Sequence, residues 1–291
     1  MFRVSDSQIH RLALTSLAKA RARYLDAARR ATTGKRVNRL SDDPGAGRMA
    51  AMLRRDLRRI DGYAAVRQRV SADLGTIESA VTSVADLLSQ AKALAVQMAS
   101  DTMSASDRAI GKAELDAIID QIRGALSVKS ADGRYLLSGT APSVPPLSDL
   151  GQYQGAASNR YVEVAPGVTV QATFTVPEIT GGKLMQDLGA LSNALANDDV
   201  AGIGQGIENM QAAIDEVAVA LSAIGGQLAA VNAAEAQAEA ASLDDQVALA
   251  EVTGADLAAA VTDLTASEQA MTVAGAVSKK LMDIVGQIIG R

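Results

Sequence analysis

Both ends of this 291-residue chain carry apolar residues at alternating helical steps, and that spacing restricts the fold more than any other feature. Near the N-terminus, Ala13, Leu17, Ala20, Tyr24, Ala27 and Ala31 recur in steps of four and three. Such steps draw one stripe along a helix and let it pack on a second helix over many turns. Near the C-terminus, Val273, Val277, Leu281, Ile284 and Ile288 form a comparable stripe. The two ends also carry opposite charge. Residues 1–70 hold 17 Lys and Arg against 6 Asp and Glu, a net +11, whereas residues 190–291 hold 3 against 14, a net −11. Matching stripes and opposite charge predict that the two ends attract each other and pair as antiparallel helices.

Local signals mark the helix ends. Ser5 with Gln8 three residues on is a capping box, and Gly34 suits the left-handed position just past a helix. Asp43 before Pro44 reads as a cap followed by proline at the first helical position. A second helix is expected from there to about Ala99, with Val70, Leu74, Ile77, Val81, Val84, Leu88, Ala91 and Ala95 on one face. Ser104 caps a third, to about Val128, burying Leu115, Ile118, Ile119 and Ile122.

Residues 131–183 differ in character. They hold five of the six prolines. Val168, Val170, Ala172, Phe174 and Val176 alternate with Thr169, Gln171, Thr173 and Thr175, which predicts a half-buried strand. Arg160 to Ala165 pairs with it across Pro166-Gly167 as a hairpin. A lone hairpin is marginal in water, so this one must pack on something. Helix resumes near Leu184 and runs to the end, with breaks expected around Asn197–Gly206 and at Thr253-Gly254. The expected fold is mainly α: long antiparallel coiled-coil-like helices from both chain ends forming a rod, with a small β-rich insertion in the middle.

Composition narrows the chemistry. Aromatics are 2% of the chain and cysteine is absent, which excludes disulfides, thiolate metal sites and thiol nucleophiles. The N-terminus lacks a Sec-type signal, and no apolar run is expected to cross a bilayer. His10 is the only histidine; with no Ser or Cys motif beside it, it reads as a helix-surface or seam residue. Asp42 and Asp43 are too few oxygens for a hard-cation loop and read as caps. Asp198-Asp199 and Asp244-Asp245 read as a cap and a solvated face. Gly202 to Gly206 lacks the strand and lysine of a phosphate loop and reads as a helix break. Arg54, Arg55, Arg58 and Arg59 could meet phosphates. Stacking aromatics and a reading helix are missing, however, so acidic protein partners are the better expectation. No enzyme, metal or cofactor is implied.

Two ordered sets of residues bring in a family. Thr33 to Pro44 (Thr-Gly-Lys-Arg-Val-Asn-Arg-Leu-Ser-Asp-Asp-Pro) resembles the segment after the first helix of the flagellin superfamily. Leu87 to Gln97 with Ser106-Asp107-Arg108, and later Ile224 to Leu228 and Gly254 to Leu264, are similar to further segments in the same order. Pro44 directly after Asp42-Asp43, and Asp132 to Thr140, resemble the junction-type members, which connect hook to filament, more than filament-forming flagellins.

The resemblance implies terminal helices at 1–42 and 255–291 in an inner coiled-coil layer, a helical rod domain at 43–140 and 184–254, and an outer β-rich insertion at 141–183. It implies assembly contacts through Thr33, Gly34, Lys35, Arg36, Asn38, Ser41, Asp42, Asp43, Pro44, Leu88, Leu94 and Gln97. The implied partners are copies of the chain in a ring or helical layer, a hook-associated protein on the hook side, flagellin on the filament side, and an export chaperone at the C-terminal helix. No nucleic acid and no membrane are expected. The implied location is extracellular, on the bacterial flagellum, after type III export without a Sec signal. Before assembly, the terminal segments are expected to be disordered or chaperone-bound. The competing readings are a short flagellin and, more distantly, a helical nucleic-acid binder with a basic N-terminal half.

Overall fold

The computed structural model describes the backbone of residues 3–289, and the side chains of Gln8 and residues 11–284. The elements are α1 (Arg3–Thr33), α2 (Pro44–Met98), α3 (Ala105–Leu126), β1 (Tyr161–Ala165), β2 (Val168–Gln171), α4 (Val176–Thr180), α5 (Leu184–Ala196), α6 (Val200–Thr253) and α7 (Leu257–Ile289). The chain divides into two compact units, one of residues 1–59 with 241–291 and one of residues 60–240.

In the terminal unit α1 packs along α7. The end of α1 lies beside the start of α7: Lys35 bridges Gly254, and the Ala255 amide donates to the Gly34 carbonyl at 2.9 Å. The two helices therefore run antiparallel. Ala13 and Ala27 are buried on α1, and Leu17, Ala20, Tyr24 and Ala31 are half-buried. On α7 the stripe differs from the expected one. Ala260 and Ser278 are buried, and Leu264, Ser267, Met271, Ala274 and Leu281 are half-buried, in unbroken steps of four and three. Val273, Val277 and Ile284 are exposed instead, and the side chain of Ile288 lies outside the described residues. The reason is size. Ala260, Ser267, Ala274 and Ser278 are interspersed with the larger Leu264, Met271 and Leu281, so small side chains along the seam leave room for the large ones between them.

In the 60–240 unit the expected α2 stripe is fully used. Val70, Leu74, Ile77, Val81, Val84, Leu88, Ala91 and Ala95 are all buried in one core, with Met98 extending it. From α6, Ile203, Met210, Val217, Ile224 and Val231 enter the same core at seven-residue intervals. α3 packs on α5, with Leu115, Ile118, Ile122 and Leu126 meeting the core face that carries Leu184, Leu188, Leu191 and Leu195. The Ser104 hydroxyl accepts from the Asp107 amide, and the Asp107 carboxylate accepts from the Ser104 amide, closing a capping box.

The helix break expected through Gly206 is shorter. Only residues 197–199 interrupt the helices, and α6 begins at Val200 with Gly202, Gly204 and Gly206 inside it. The Asp199 carboxylate accepts from the Gly202 amide at 3.0 Å and caps the helix start. Position 206 takes glycine because a Cβ there would lie 2.6 Å from Leu191 Cδ1.

The hairpin forms as expected, antiparallel, pairing Val162 with Val170 and Glu163 with Thr169. It packs on helices: Arg67 of α2 donates to the Val164 carbonyl at 3.2 Å, and the Gln171 amide donates to Gln227 of α6 at 3.0 Å. The second strand stops at Gln171, five residues before the expected end. Thr173 is buried because its hydroxyl accepts from the Arg160 amide, and Thr175 is buried because it caps α4 in a capping box with Glu178. Phe174 is buried between them.

One correction concerns the membrane. α6 is long and apolar enough, by length and composition alone, to cross a bilayer; one 18-residue window has a mean hydropathy of 1.6. Its uncharged run 217–234 is rich in alanine and glycine. Val217, Ala220, Ile224, Val231 and Ala234 of that run are buried in the core.

Candidate assembly interface

The segment between α1 and α2 folds into a closely bonded loop in the terminal unit. Thr33 donates its hydroxyl to the Arg29 carbonyl and accepts from the Lys35 amide. Gly34 takes φ +64°, a left-handed conformation that costs glycine little. The Arg36 amide donates to the Thr253 carbonyl at 2.8 Å, and its guanidinium reaches both the Val252 carbonyl at 3.2 Å and Asp43 at 3.0 Å. Asn38 donates to the Lys35 carbonyl at 2.7 Å. Val37 is buried beneath.

Asp42 and Asp43 divide the remaining amides. Asp42 accepts from the amides of Asn38 and Arg39 at 3.0 and 2.8 Å; Asp43 accepts from those of Gly45 and Ala46, both at 3.0 Å. The bond from the Arg39 amide is the main reason that the Asp42 carboxyl lies below its ordinary pKa, and the bond from the Ala46 amide does the same for Asp43. Lys35, Arg39, Leu40, Ser41 and Pro44 are exposed on the loop. Gly34, Arg36, Asp42 and Asp43 are thus occupied in joining α1, α2 and the α6–α7 turn within the chain.

The second predicted set separates. Leu88 and Leu94 are buried in the chain's own core and offer no surface to a partner, a correction that follows from their place on the α2 stripe. Gln97 is exposed, as are Val96 and, on α3, Ile110. Sequence reasoning missed the bond that organises this region. Arg108 is buried, donates to the carbonyls of Met98 at 2.9 Å and Ser100 at 3.1 Å, and pairs with Asp198. Asp198, read earlier with Asp199 as a cap, holds φ +58° and serves as that counter-charge.

A second ionic group ties the insertion to α2. Asp73 is buried, with Arg134 at 3.5 Å and Arg160 at 3.8 Å. Desolvation pushes its carboxyl above the ordinary value against the pull of both arginines. Asp132, exposed beside Ser130 and Arg134, is lowered to about 2 by the Ser130 hydroxyl first and Arg134 second.

The long-range charge asymmetry behaves differently from expectation. Arg11 aside, no described Lys or Arg of residues 1–70 forms an ion pair with an acid of residues 190–291; the nearest link is Arg36 to a backbone carbonyl. Arg55 and Arg59 meet only Asp56 of their own helix. No group of three or more His, Cys, Asp or Glu able to hold a metal ion occurs among the described residues, and the His10 side chain lies outside them.

Comparison with known proteins shows what this chain is similar to. Residues 4–141 match the bacterial flagellin N-terminal helical region. Flagellar hook-associated protein 3 of Escherichia coli is 25% identical over 198 residues, 68% of this chain and 60% of that protein. Its Salmonella typhimurium counterpart is 25% identical over 178 residues, 61% and 56%. The chain therefore spans less than two thirds of the length of these curated relatives. Among solved structures, one of a proposed flagellar hook-associated protein from Vibrio parahaemolyticus aligns with TM-score 0.68 at 23% identity, covering 73% of this chain and all of that one. Bacillus cereus FlgL aligns with TM-score 0.58 at 19% identity, covering 72% and all of that chain.

Residues 4–141 are thus similar to the flagellin N-terminal helical region, and over a longer stretch the chain is similar to flagellar hook-associated proteins, with a mainly helical fold like that of the solved hook-associated structures.

Proposed function

We propose that this chain is the adaptor that joins hook to filament. The carrying observation is that both curated relatives are hook-associated protein 3, and that their similarity extends beyond the N-terminal helical region common to flagellins. The adaptor accepts a bending polymer on one side and templates a stiffer one on the other, by packing alone. Its partners are copies of itself in a ring or helical layer, a hook-associated protein on the hook side, flagellin on the filament side, and an export chaperone at α7. It reaches the cell exterior by type III export.

In this reading the segments 1–42 and 255–291 form the inner layer, 43–140 and 184–254 the surrounding rod domain, and 141–183 the outer insertion. The exposed row Val273, Val277 and Ile284 supports the inner-layer assignment, since the α1 seam leaves these aliphatic side chains in water. Lys35, Arg39, Leu40, Ser41, Pro44 and Gln97 are the motif residues left free to meet neighbours.

Deletion of the gene, scored by electron microscopy with flagellin measured in the medium, tests the reading. Hooks without filaments and flagellin monomers shed to the medium support it. Hooks without filaments and no flagellin anywhere identify a filament subunit instead. Normal filaments reject both.

A further inference from the structure

We propose that copies of this chain bind one another head to tail through a basic face of α2 and an acidic face of α6. Both faces lie in the terminal unit. On α2, Met52, Arg55 and Arg59 follow one another at steps of three and four, so they share a face, with Met49 one turn before and Arg58 alongside. All five are exposed. On α6, Asp244, Val247 and Glu251 follow the same steps, with Leu243 alongside, and all four are exposed.

Three observations carry the pairing. First, the charges are unspent. Arg54 and Arg58 have no ionic or hydrogen-bond partner among the described residues, nor do Asp244 and Glu251, while Arg55 and Arg59 share the single Asp56. Second, the charges are opposite and drawn from the two ends of the chain, net +11 and net −11. Arg11 aside, no ion pair joins them among the described residues, so a contact between copies that brings them together is favourable. Third, each face holds large exposed apolar side chains within a turn of its charges: Met49 and Met52 on one, Leu243 and Val247 on the other. An apolar centre with a charged rim is the usual anatomy of a specific contact.

Two different faces in contact make a heterologous interface, which propagates into a ring or a helix rather than stopping at a dimer. The inference deepens the self-contact in the adaptor reading and rests on that reading only for its biological setting. Methionine suits a surface that adapts to small changes in subunit spacing.

The test uses the full chain and two variants, Arg55→Glu/Arg59→Glu and Asp244→Lys/Glu251→Lys, followed by sedimentation velocity, with circular dichroism to establish that each remains helical. Wild-type chain at low salt is expected to sediment above its 29.9 kDa monomer mass and to revert toward monomer as salt rises from about 0.05 M to about 0.5 M. Each variant alone presents two faces of like sign and is expected to stay monomeric. An equimolar mixture of the two variants restores both complementary pairings and is expected to recover association. Variants that associate as well as wild type, or a mixture that stays monomeric, overturn the proposal. So does a wild-type chain that stays monomeric yet retains duplex DNA at about 0.15 M salt. In cells, normal filaments grown in a strain carrying either variant alone overturn this contact while leaving the deletion phenotype, and so the adaptor reading, untouched.

Discussion

Arg108 and Asp198, ninety residues apart, form one ion pair that locks the end of α2 to the turn between α5 and α6. The guanidinium also satisfies the carbonyls of Met98 and Ser100, which the end of α2 leaves without helical partners. Asp198 takes a left-handed backbone to reach it. A single buried arginine thereby closes one end of the 60–240 core.

Replacing Arg108 with Ala is expected to cost about 2–4 kcal/mol, because two carbonyls and a carboxylate lose a charged donor at once. Asp198→Asn keeps the backbone preference and loses only a pair whose acid is half exposed, so it costs about 1 kcal/mol or less. Urea denaturation of the two variants checks the order; equal losses would contradict this account of Arg108.

The glycines of α6 separate by what surrounds them. A Cβ on Gly206 would meet Leu191, while one on Gly204 meets nothing within 4 Å. Gly206→Ala is expected to destabilise by about 1–3 kcal/mol through overpacking. Gly204→Ala is expected to stabilise by about 0.5–1 kcal/mol through helix propensity. Thermal denaturation of both variants reads the two signs.

The α1–α2 loop is expected to loosen in acid. The folded pKa values of Asp42 and Asp43 lie below the ordinary 3.8. Their stabilisation is therefore full above about that pH and is lost as the pH falls through the lower folded values. Hydrogen-exchange protection of the amides of Asn38, Arg39, Gly45 and Ala46 should follow that window. Protection that persists after both carboxylates are protonated would show that these bonds do not hold the loop.

The α7 stripe makes opposite predictions for neighbouring residues. Ala260→Leu forces α1 and α7 apart and should lower stability by about 1–3 kcal/mol. Ser278→Ala removes a buried hydroxyl with no partner and should be neutral or stabilising. Val273→Ser should leave the isolated chain within about 0.5 kcal/mol of wild type. Chemical denaturation of the three variants tests the register.

What the sequence disclosed depended on side-chain size and on distance along the chain. Leu74, Ile77, Val81 and Leu88 announced the α2 stripe because large aliphatics at helical steps have few other uses. The α7 stripe was misread, apart from Leu281, because four of its members, Ala260, Ser267, Ala274 and Ser278, scarcely register as apolar and hide the steps through Leu264 and Met271, while Val273 and Val277 draw the eye. Gly202 to Gly206 concealed the seven-residue repeat that runs from Ile203 to Val231. The start of α4 was legible in Thr175-Val176-Pro177-Glu178, a capping box with an early proline, but lay under an alternation that fitted a strand. Of the predicted interface, the capping roles of Asp42 and Asp43 were readable locally. The pairing of Arg108 with Asp198 was not, since nothing local links residues so far apart.

The adaptor account places a short stack of this chain at one position on the flagellum. Electron microscopy of whole cells with gold-labelled antibody against the chain tests that most directly. The account predicts label confined to the boundary between hook and filament. Label along the full length of the filament, or none on the flagellum, would contradict it.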